Sequence, residues 1–196
     1  MDDKISLLIS QLGDNRIKCD SDISEHLQTG LGGKVPAFYI ATTTAELIKS
    51  IKLCRELKLE FLIFGSGSKM AIADLGVKGL VIRNRSDNLK IFGVKGKVSR
   101  LGLGIEEAFL EADSGVSLIK LAEFASDQGL GGLEGLRSTP GTVGGSLYIN
   151  PLLKEKVNQV KILAPSNTIK QKSYFDLKRE DIILSVVFKL KAKTVS

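Results

Sequence analysis

Between positions 129 and 145 the chain places Gly129, Gly131, Gly132, Gly135, Gly141, Gly144 and Gly145 around the triplet Ser138-Thr139-Pro140. Regular helix or strand runs through such a segment only at a loss, because each glycine gives up backbone freedom and adds no side chain to pack. What the segment permits is close approach of backbone to something flat or bulky, either a ligand or the protein's own core. A second small-residue loop, Gly65-Ser66-Gly67-Ser68, follows the apolar run Phe61-Leu62-Ile63-Phe64. Its successive N–H groups can converge on phosphate oxygens, Ser66 and Ser68 add hydroxyls, and Lys69 adds positive charge; an ordinary tight turn is the alternative.

Two familiar nucleotide motifs are excluded. A Walker A loop requires Gly-Lys-Ser/Thr, whereas Lys69 lies between Ser68 and Met70. A dinucleotide fingerprint starting at Gly65 fails on Met70, and one starting at Gly102 fails on Glu107.

The surrounding chain mixes helix and strand. Ile5, Leu8, Ile9 and Leu12 predict an amphipathic helix over residues 3 to 12, followed by a polar stretch to about Glu25. Residues 35 to 41 read extended, with Pro36 where an edge or initial strand position tolerates it. Thr43 with Glu46 fits a capping box for a helix whose apolar face is Leu47, Ile48, Ile51, Cys54 and Leu57. Phe61 to Phe64, apolar on both faces, predicts a buried strand, and Gly79 to Arg83 predicts another. Residues 89 to 93, 98 to 104 and 106 to 112 read as three short antiparallel strands. Ser117 caps a helix with Leu118, Leu121, Ala122 and Ala125 inward, ended by Gly129. The last strands are expected at 160 to 163, 168 to 171 and 182 to 190. With no repeat or flexible linker visible, the expected organisation is α+β, with residues 1–84 and 85–196 as subdomains of one unit.

A net charge of +6 admits an anionic partner without choosing among nucleotide, nucleic acid and membrane surface. Only Lys189, Lys191 and Lys193 alternate as one strand face would, which reads as a solvated face. With no stacking aromatics in a basic groove, the sequence argues against nucleic acid. Cys19 and Cys54 form neither a CxxC pair nor a disulfide framework and read as free thiols of a cytosolic chain, Cys54 being buried. His26 is the only histidine, so no metal is expected, and little room is left for a Ser-His-Asp triad. The acidic start Met1-Asp2-Asp3 and the short apolar runs predict neither signal peptide nor membrane span.

Together the two loops resemble the UDP-N-acetylenolpyruvoylglucosamine reductase family of flavoenzymes, with similarity from about His26 to Leu190. Gly30-Leu31-Gly32-Gly33 is similar to the family's entry segment. Phe64 to Lys69, followed by Asp74 to Ile82, is similar to its phosphate loop and next strand. Gly132-Leu133-Glu134, Pro140 to Gly145 and Asn150 resemble its flavin-facing loop, the most specific match. The resemblance implies a two-subdomain FAD-binding fold of the vanillyl-alcohol-oxidase (PCMH) type, with FAD between the subdomains. Gly65, Ser66, Gly67, Ser68 and Lys69 would then hold the pyrophosphate with Met70 beside them. Ser138, Thr139, Pro140, Gly141, Thr142, Gly144 and Gly145 would surround the flavin and diphosphate.

Departures from the family bear on activity. Full-length members continue into a substrate domain that supplies a protonating serine and a glutamate, whereas this sequence stops at Ser196, so the fold is expected without that domain. Lys69 stands where the family has asparagine, and Asn150-Pro151-Leu152-Leu153 where it has Asn-Ala-Gly-Ala. The family's Tyr-Arg is represented only by Lys178-Arg179, which leaves Arg179 as the catalytic candidate, an anion contact or a solvated charge. The expected function is that of a cytoplasmic FAD-binding flavoprotein with a redox role open to it. One alternative is an active NADPH-dependent UDP-N-acetylmuramate dehydrogenase of peptidoglycan synthesis, taking a UDP-sugar and completed by a partner chain. The other is a non-enzymatic module that binds a nucleotide or a protein.

Overall fold

The computed structural model describes residues 3–27, 29–30, 32–68, 79–99 and 102–193. Lys69, Met70 and the stretch 71–78 lie outside the described residues, so the expectations for Lys69 and Met70 have no structural counterpart. The chain divides into two compact units, Met1–Ser86 and Asp87–Ser196.

In the first unit the predicted opening helix is α1 (Asp3–Leu12), which buries Ile5 and Leu8. The polar stretch after it is not a loop throughout, since Ile17–Asp22 forms strand β1, antiparallel to β2 (Lys34–Ala41). Its alternation was hidden because only Ile17 is buried, and the outward positions are polar. Pro36 is not on an edge. β2 is an inner strand, and Pro36 sits just before Ala37, where pairing to the next strand begins. Opposite it the register passes from Cys19 to Ser21, and Asp20 takes a left-handed conformation at φ 46, which aspartate tolerates better than most residues.

α2 (Thr44–Glu56) starts at Thr43, whose Oγ1 accepts the Glu46 N–H at 3.1 Å. The returning half of the capping box is displaced by one residue: Glu46 accepts the Thr42 N–H at 2.7 Å, and also pairs with Arg16 at 3.0 Å. Leu47, Ile51 and Cys54 are buried as expected, whereas Ile48 and Leu57 are half-buried. Burial alone pushes the Cys54 thiol up to about 12, so it stays protonated and inert.

β3 (Phe61–Phe64) and β4 (Leu80–Asn84) run parallel to β2, and the sheet order is β1-β2-β4-β3. The structure corrects the expectation of a buried strand at Phe61 to Phe64: β3 is at the sheet edge, and only Phe64 is buried. The enclosed strand is β4, with Leu80, Val81 and Ile82 at 0% exposure.

The second unit is built on one antiparallel sheet. β5 (Leu89–Ser99) and β6 (Gly102–Asp113) are two long strands where three short ones were expected. The glycines that suggested breaks are accommodated within the ladder: register shifts fall between Ile91 and Gly93 and between Lys95 and Gly96, where Gly96 lies against the Gly104 backbone. α3 (Leu118–Asp127) buries Leu118, Leu121, Ala122 and Ala125. Ser117 caps it by accepting the Lys120 N–H at 3.1 Å, and Gly129 follows its end at φ +69.

β7 (Leu130–Gly131), α4 (Val143–Ser146), α5 (Pro151–Lys156), β8 (Val157–Leu163), β9 (Ile169–Lys172) and β10 (Ile182–Ala192) complete the unit. The sheet order is β5-β6-β10-β8-β9, with β7 also paired to β10. The core gathers Leu110, Val186 and Phe188 from the sheet with Leu118, Leu121, Val143 and Leu147 from the covering segments. Lys189 and Lys191 are exposed on β10 as a solvated face requires, and Lys189 is neutralised by Glu107 at 3.0 Å.

Candidate functional site

The parallel strands β2, β3 and β4 all end on the same side of their sheet. Carboxyl ends of parallel strands are where open sheets of this kind place ligands, since the turns leaving them expose unused backbone donors. The loop Gly65–Ser68 leaves β3 there. Gly67 has φ +70, and a Cβ on it would lie 2.9 Å from Leu27 Cδ2 and 3.0 Å from the His26 carbonyl oxygen. Glycine at 67 therefore follows from the loop's seat on the His26–Leu27 segment as well as from its conformation. Ser66 Oγ donates to Ser68 Oγ at 3.0 Å, which leaves the Ser68 hydroxyl proton to give. Among the described residues no backbone acceptor takes the N–H groups of Ser66, Gly67 or Ser68. Three successive donors and a hydroxyl suit an anion with several oxygens.

Beneath this loop lies a cluster that the sequence did not announce. Paired strand residues share a face, so Arg83, opposite Phe64 on β3, points to the same side as Phe64, Val81 and Phe38. The His26 ring stacks on Phe38 with centroids 4.5 Å apart, and Phe38 stacks on Phe64 at 6.4 Å. Arg83 Nη1 is 3.2 Å from His26 Nδ1. A guanidinium only donates, so Nδ1 accepts and the neutral ring carries its proton on Nε2. Burial, then the charges of Arg83 and Lys18, hold the His26 pKa below its ordinary value. The signal for Arg83 was its place as the one charge in an apolar strand. His26 gave no signal beyond being alone.

The glycine-rich segment of the second unit is held differently. A turn at Glu134–Leu136 leads to Ser138-Thr139-Pro140, and Thr142 then forms an isolated bridge with Ser117 and caps α4. Val143 donates to the Val116 carbonyl at 2.9 Å, Gly144 to that of Ser114 at 2.8 Å and Ser146 to that of Thr142 at 2.9 Å. The Gly145 N–H goes to Thr142 Oγ1 at 3.4 Å, and the Thr139 N–H and hydroxyl go to Leu136 and Gly135. A Cβ on Gly144 would lie 2.9 Å from Ser114 Cβ, so the protein's own core accounts for this glycine. The N–H groups of Ser138, Gly141 and Thr142 have no backbone acceptor among the described residues, and Ser138, Pro140 and Gly145 are exposed. This segment thus offers a ligand fewer donors than its glycine content suggested.

Other sequence candidates have structural roles. Glu134 accepts the Gly132 N–H at 2.8 Å, and its own backbone N–H, together with this bond, holds its pKa low. Asn150 caps α5 by accepting the Leu153 N–H at 3.2 Å, with Pro151 opening the helix, which accounts for Asn-Pro at that place. Arg179 is exposed in a turn, while its neighbour Asp181 is locked to Lys172 at 2.6 Å and to the Lys178 N–H at 2.8 Å. Among the described residues no cluster of His, Cys, Asp and Glu could hold a metal, and no helix is long and apolar enough to cross a membrane.

A parallel-stranded α/β unit with a small-residue loop, joined in sequence to an antiparallel unit with a second glycine loop, makes the α+β fold of the vanillyl-alcohol-oxidase (PCMH) type. Solved structures of the same fold bear this out. UDP-N-acetylenolpyruvylglucosamine reductase from Thermus caldophilus matches with TM-score 0.65 and 20% identity, over 91% of this chain and 62% of that one. p-Cresol methylhydroxylase matches with TM-score 0.63 and 11% identity, over 100% of this chain and 45% of that one. Residues 35–151 match the FAD binding domain model. The chain belongs to the FAD binding domain family, and FAD is its cofactor. Among curated relatives it is 33% identical over 136 residues to UDP-N-acetylenolpyruvoylglucosamine reductase of Desulfosudis oleivorans, covering 69% of this chain and 41% of the relative. It is 28% identical over 194 residues to the enzyme of the same name from Clostridium botulinum (strain 657 / Type Ba4), covering 91% and 59%. The chain therefore spans about two fifths to three fifths of these relatives' length.

Proposed function

We propose that the chain is the FAD-holding part of a reductase-like flavoprotein, with Gly65, Ser66, Gly67 and Ser68 carrying the diphosphate. The observation that supports this most is that the N–H groups of Ser66, Gly67 and Ser68 have no backbone acceptor among the described residues, inside the segment that matches the FAD binding domain. Backbone donors bind phosphate oxygens without formal charge, and the Ser68 hydroxyl adds one more. Lys69 and Met70 extend this proposed set in sequence. In the second unit the N–H groups of Gly141 and Thr142 and the N–H and hydroxyl of Ser138 are proposed to face the cofactor, with Thr139, Pro140, Gly144 and Gly145 shaping the surface around them. When bound, the flavin supplies electron or hydride transfer; the chain supplies its position.

The test is a visible spectrum of the purified protein followed by FAD titration. Flavin absorbance, or saturable uptake of added FAD, is expected; a colourless protein that takes up no FAD refutes the reading. A second reading, reductase activity, is favoured by the names of the relatives at about 30% identity. It predicts NADPH oxidation dependent on UDP-N-acetylglucosamine enolpyruvate, with this chain alone or with a partner chain supplying a substrate domain. Arg179 is the proposed substrate-side contact. A flat trace in both arms removes it.

A further inference from the structure

We infer that Arg83 is a diphosphate-binding residue of the Gly65–Ser68 loop and that His26 holds it in place; this rests on the reading that the loop carries the cofactor's diphosphate. Arg83 interrupts the apolar run Leu80-Val81-Ile82 and is half-buried opposite Phe64, the residue from which the loop departs. No carboxylate pairs with it among the described residues. Its hydrogen bond goes to the neutral Nδ1 of His26, and its Nε is buried without a partner. The neighbouring charge that acts on it is Arg85, of the same sign.

A guanidinium drawn out of water beside another cation and without a counter-charge destabilises a fold unless an anion completes it. The planar fork of arginine suits two phosphate oxygens at once. His26 links the parts: its ring accepts from Arg83 and stacks on Phe38, while its carbonyl oxygen is part of the surface against which Gly67 packs. The same end of the sheet holds two further unsatisfied groups, Thr44 Oγ1 just past β2 and Ser86 Oγ just past β4. Three of the four buried side-chain atoms left without partners among the described residues thus lie where the parallel strands end.

The diphosphate could belong to FAD or to an ADP-type nucleotide, so the full chain is titrated with FAD, riboflavin, ADP and inorganic pyrophosphate. Arg83→Gln is expected to raise the Kd for FAD at least about tenfold, the loss of one charge-assisted hydrogen bond, and to leave riboflavin binding unchanged. Arg83→Lys should recover part of the loss. Because His26 is the only histidine, its ring protons report the site directly by NMR. Saturating FAD or pyrophosphate should shift them in the natural protein, an arm that stands even if Arg83→Gln fails to fold. If a folded Arg83→Gln binds FAD as tightly as the natural protein, or if FAD saturates without moving the His26 resonances, the inference is overturned while FAD binding stands. If FAD does not bind but pyrophosphate and ADP raise the melting temperature through Arg83, the anion site stands and the flavin reading falls. If none of these ligands binds, both fall.

Discussion

The loop after β3 and the segment leading into α4 are made of the same small residues, but the chain itself takes up more of the second segment's donors. In the first, glycine lets the backbone sit on the His26–Leu27 segment, and the N–H groups of Ser66, Gly67 and Ser68 have no backbone acceptor among the described residues. In the second, glycine lets α4 settle against Ser114, and the N–H groups of Val143, Gly144, Gly145 and Ser146 are consumed by the chain. Their electrical settings differ as well. Around the first, the partner of Arg83 among the described residues is a neutral imidazole; in the second unit, Glu111 lies among Ser185, Lys90 and Lys161, and Asp181 is held by Lys172. Glycine content alone therefore does not mark a ligand loop; the fate of the N–H groups does.

The largest effect should come from Gly67→Ala. It adds a side chain at φ +70 and brings Cβ to 2.9 Å from Leu27, and the two costs together should lower stability by about 2–4 kcal/mol in urea unfolding. A loss below about 0.5 kcal/mol would show that the loop can leave its seat. Gly144→Ala should cost about 1–3 kcal/mol through contact with Ser114, with FAD affinity of the folded variant nearly unchanged. A large affinity loss without a stability loss would reverse the contrast between the loops. Ser117→Ala removes the α3 cap and should cost about 1 kcal/mol by thermal melting.

Acid should then separate the units. The folded pKa of His26 is lowered by burial and by Arg83 and Lys18, so its contribution is present above the unfolded value of about 6.5 and declines as pH falls through that lowered value. Glu111 and Asp181 are also lowered: burial opposes their charge, but hydrogen bonds and lysines outweigh it. Their contributions persist above the unfolded values of about 4 and disappear only as pH falls through the lower folded ones. Hydrogen exchange between pH 7 and 3 should thus show the first unit loosening before the second, and His26→Phe should delay that loosening. Simultaneous loosening would mean that His26 does not set the first unit's acid limit.

Much of the fold was legible because local patterns were unambiguous. The apolar face of α3, its Ser117 cap and its glycine end appear where the spacing put them. The final strand was legible from its β-branched residues. What misled was burial on two faces. Phe61 to Phe64 carries four apolar side chains yet occupies the edge, because strand order is a long-range decision that no local pattern encodes. β1 was missed because one buried residue in six leaves almost no period to read. β5 and β6 were cut into pieces because a bulge and a turn attract the same residue.

Sequence by itself determined the family, the cofactor and the two glycine-rich loops, since these depend on which residues stand next to one another along the chain. Only tertiary structure decided which donors of each loop the chain takes for itself and what lies beneath the first. Whether an N–H is free depends on an acceptor tens of residues away, such as the Ser114 carbonyl that takes the Gly144 N–H. Arg83 and His26, 57 residues apart, become one feature only when β4 is set beside β3 and the His26 segment closes over the same face.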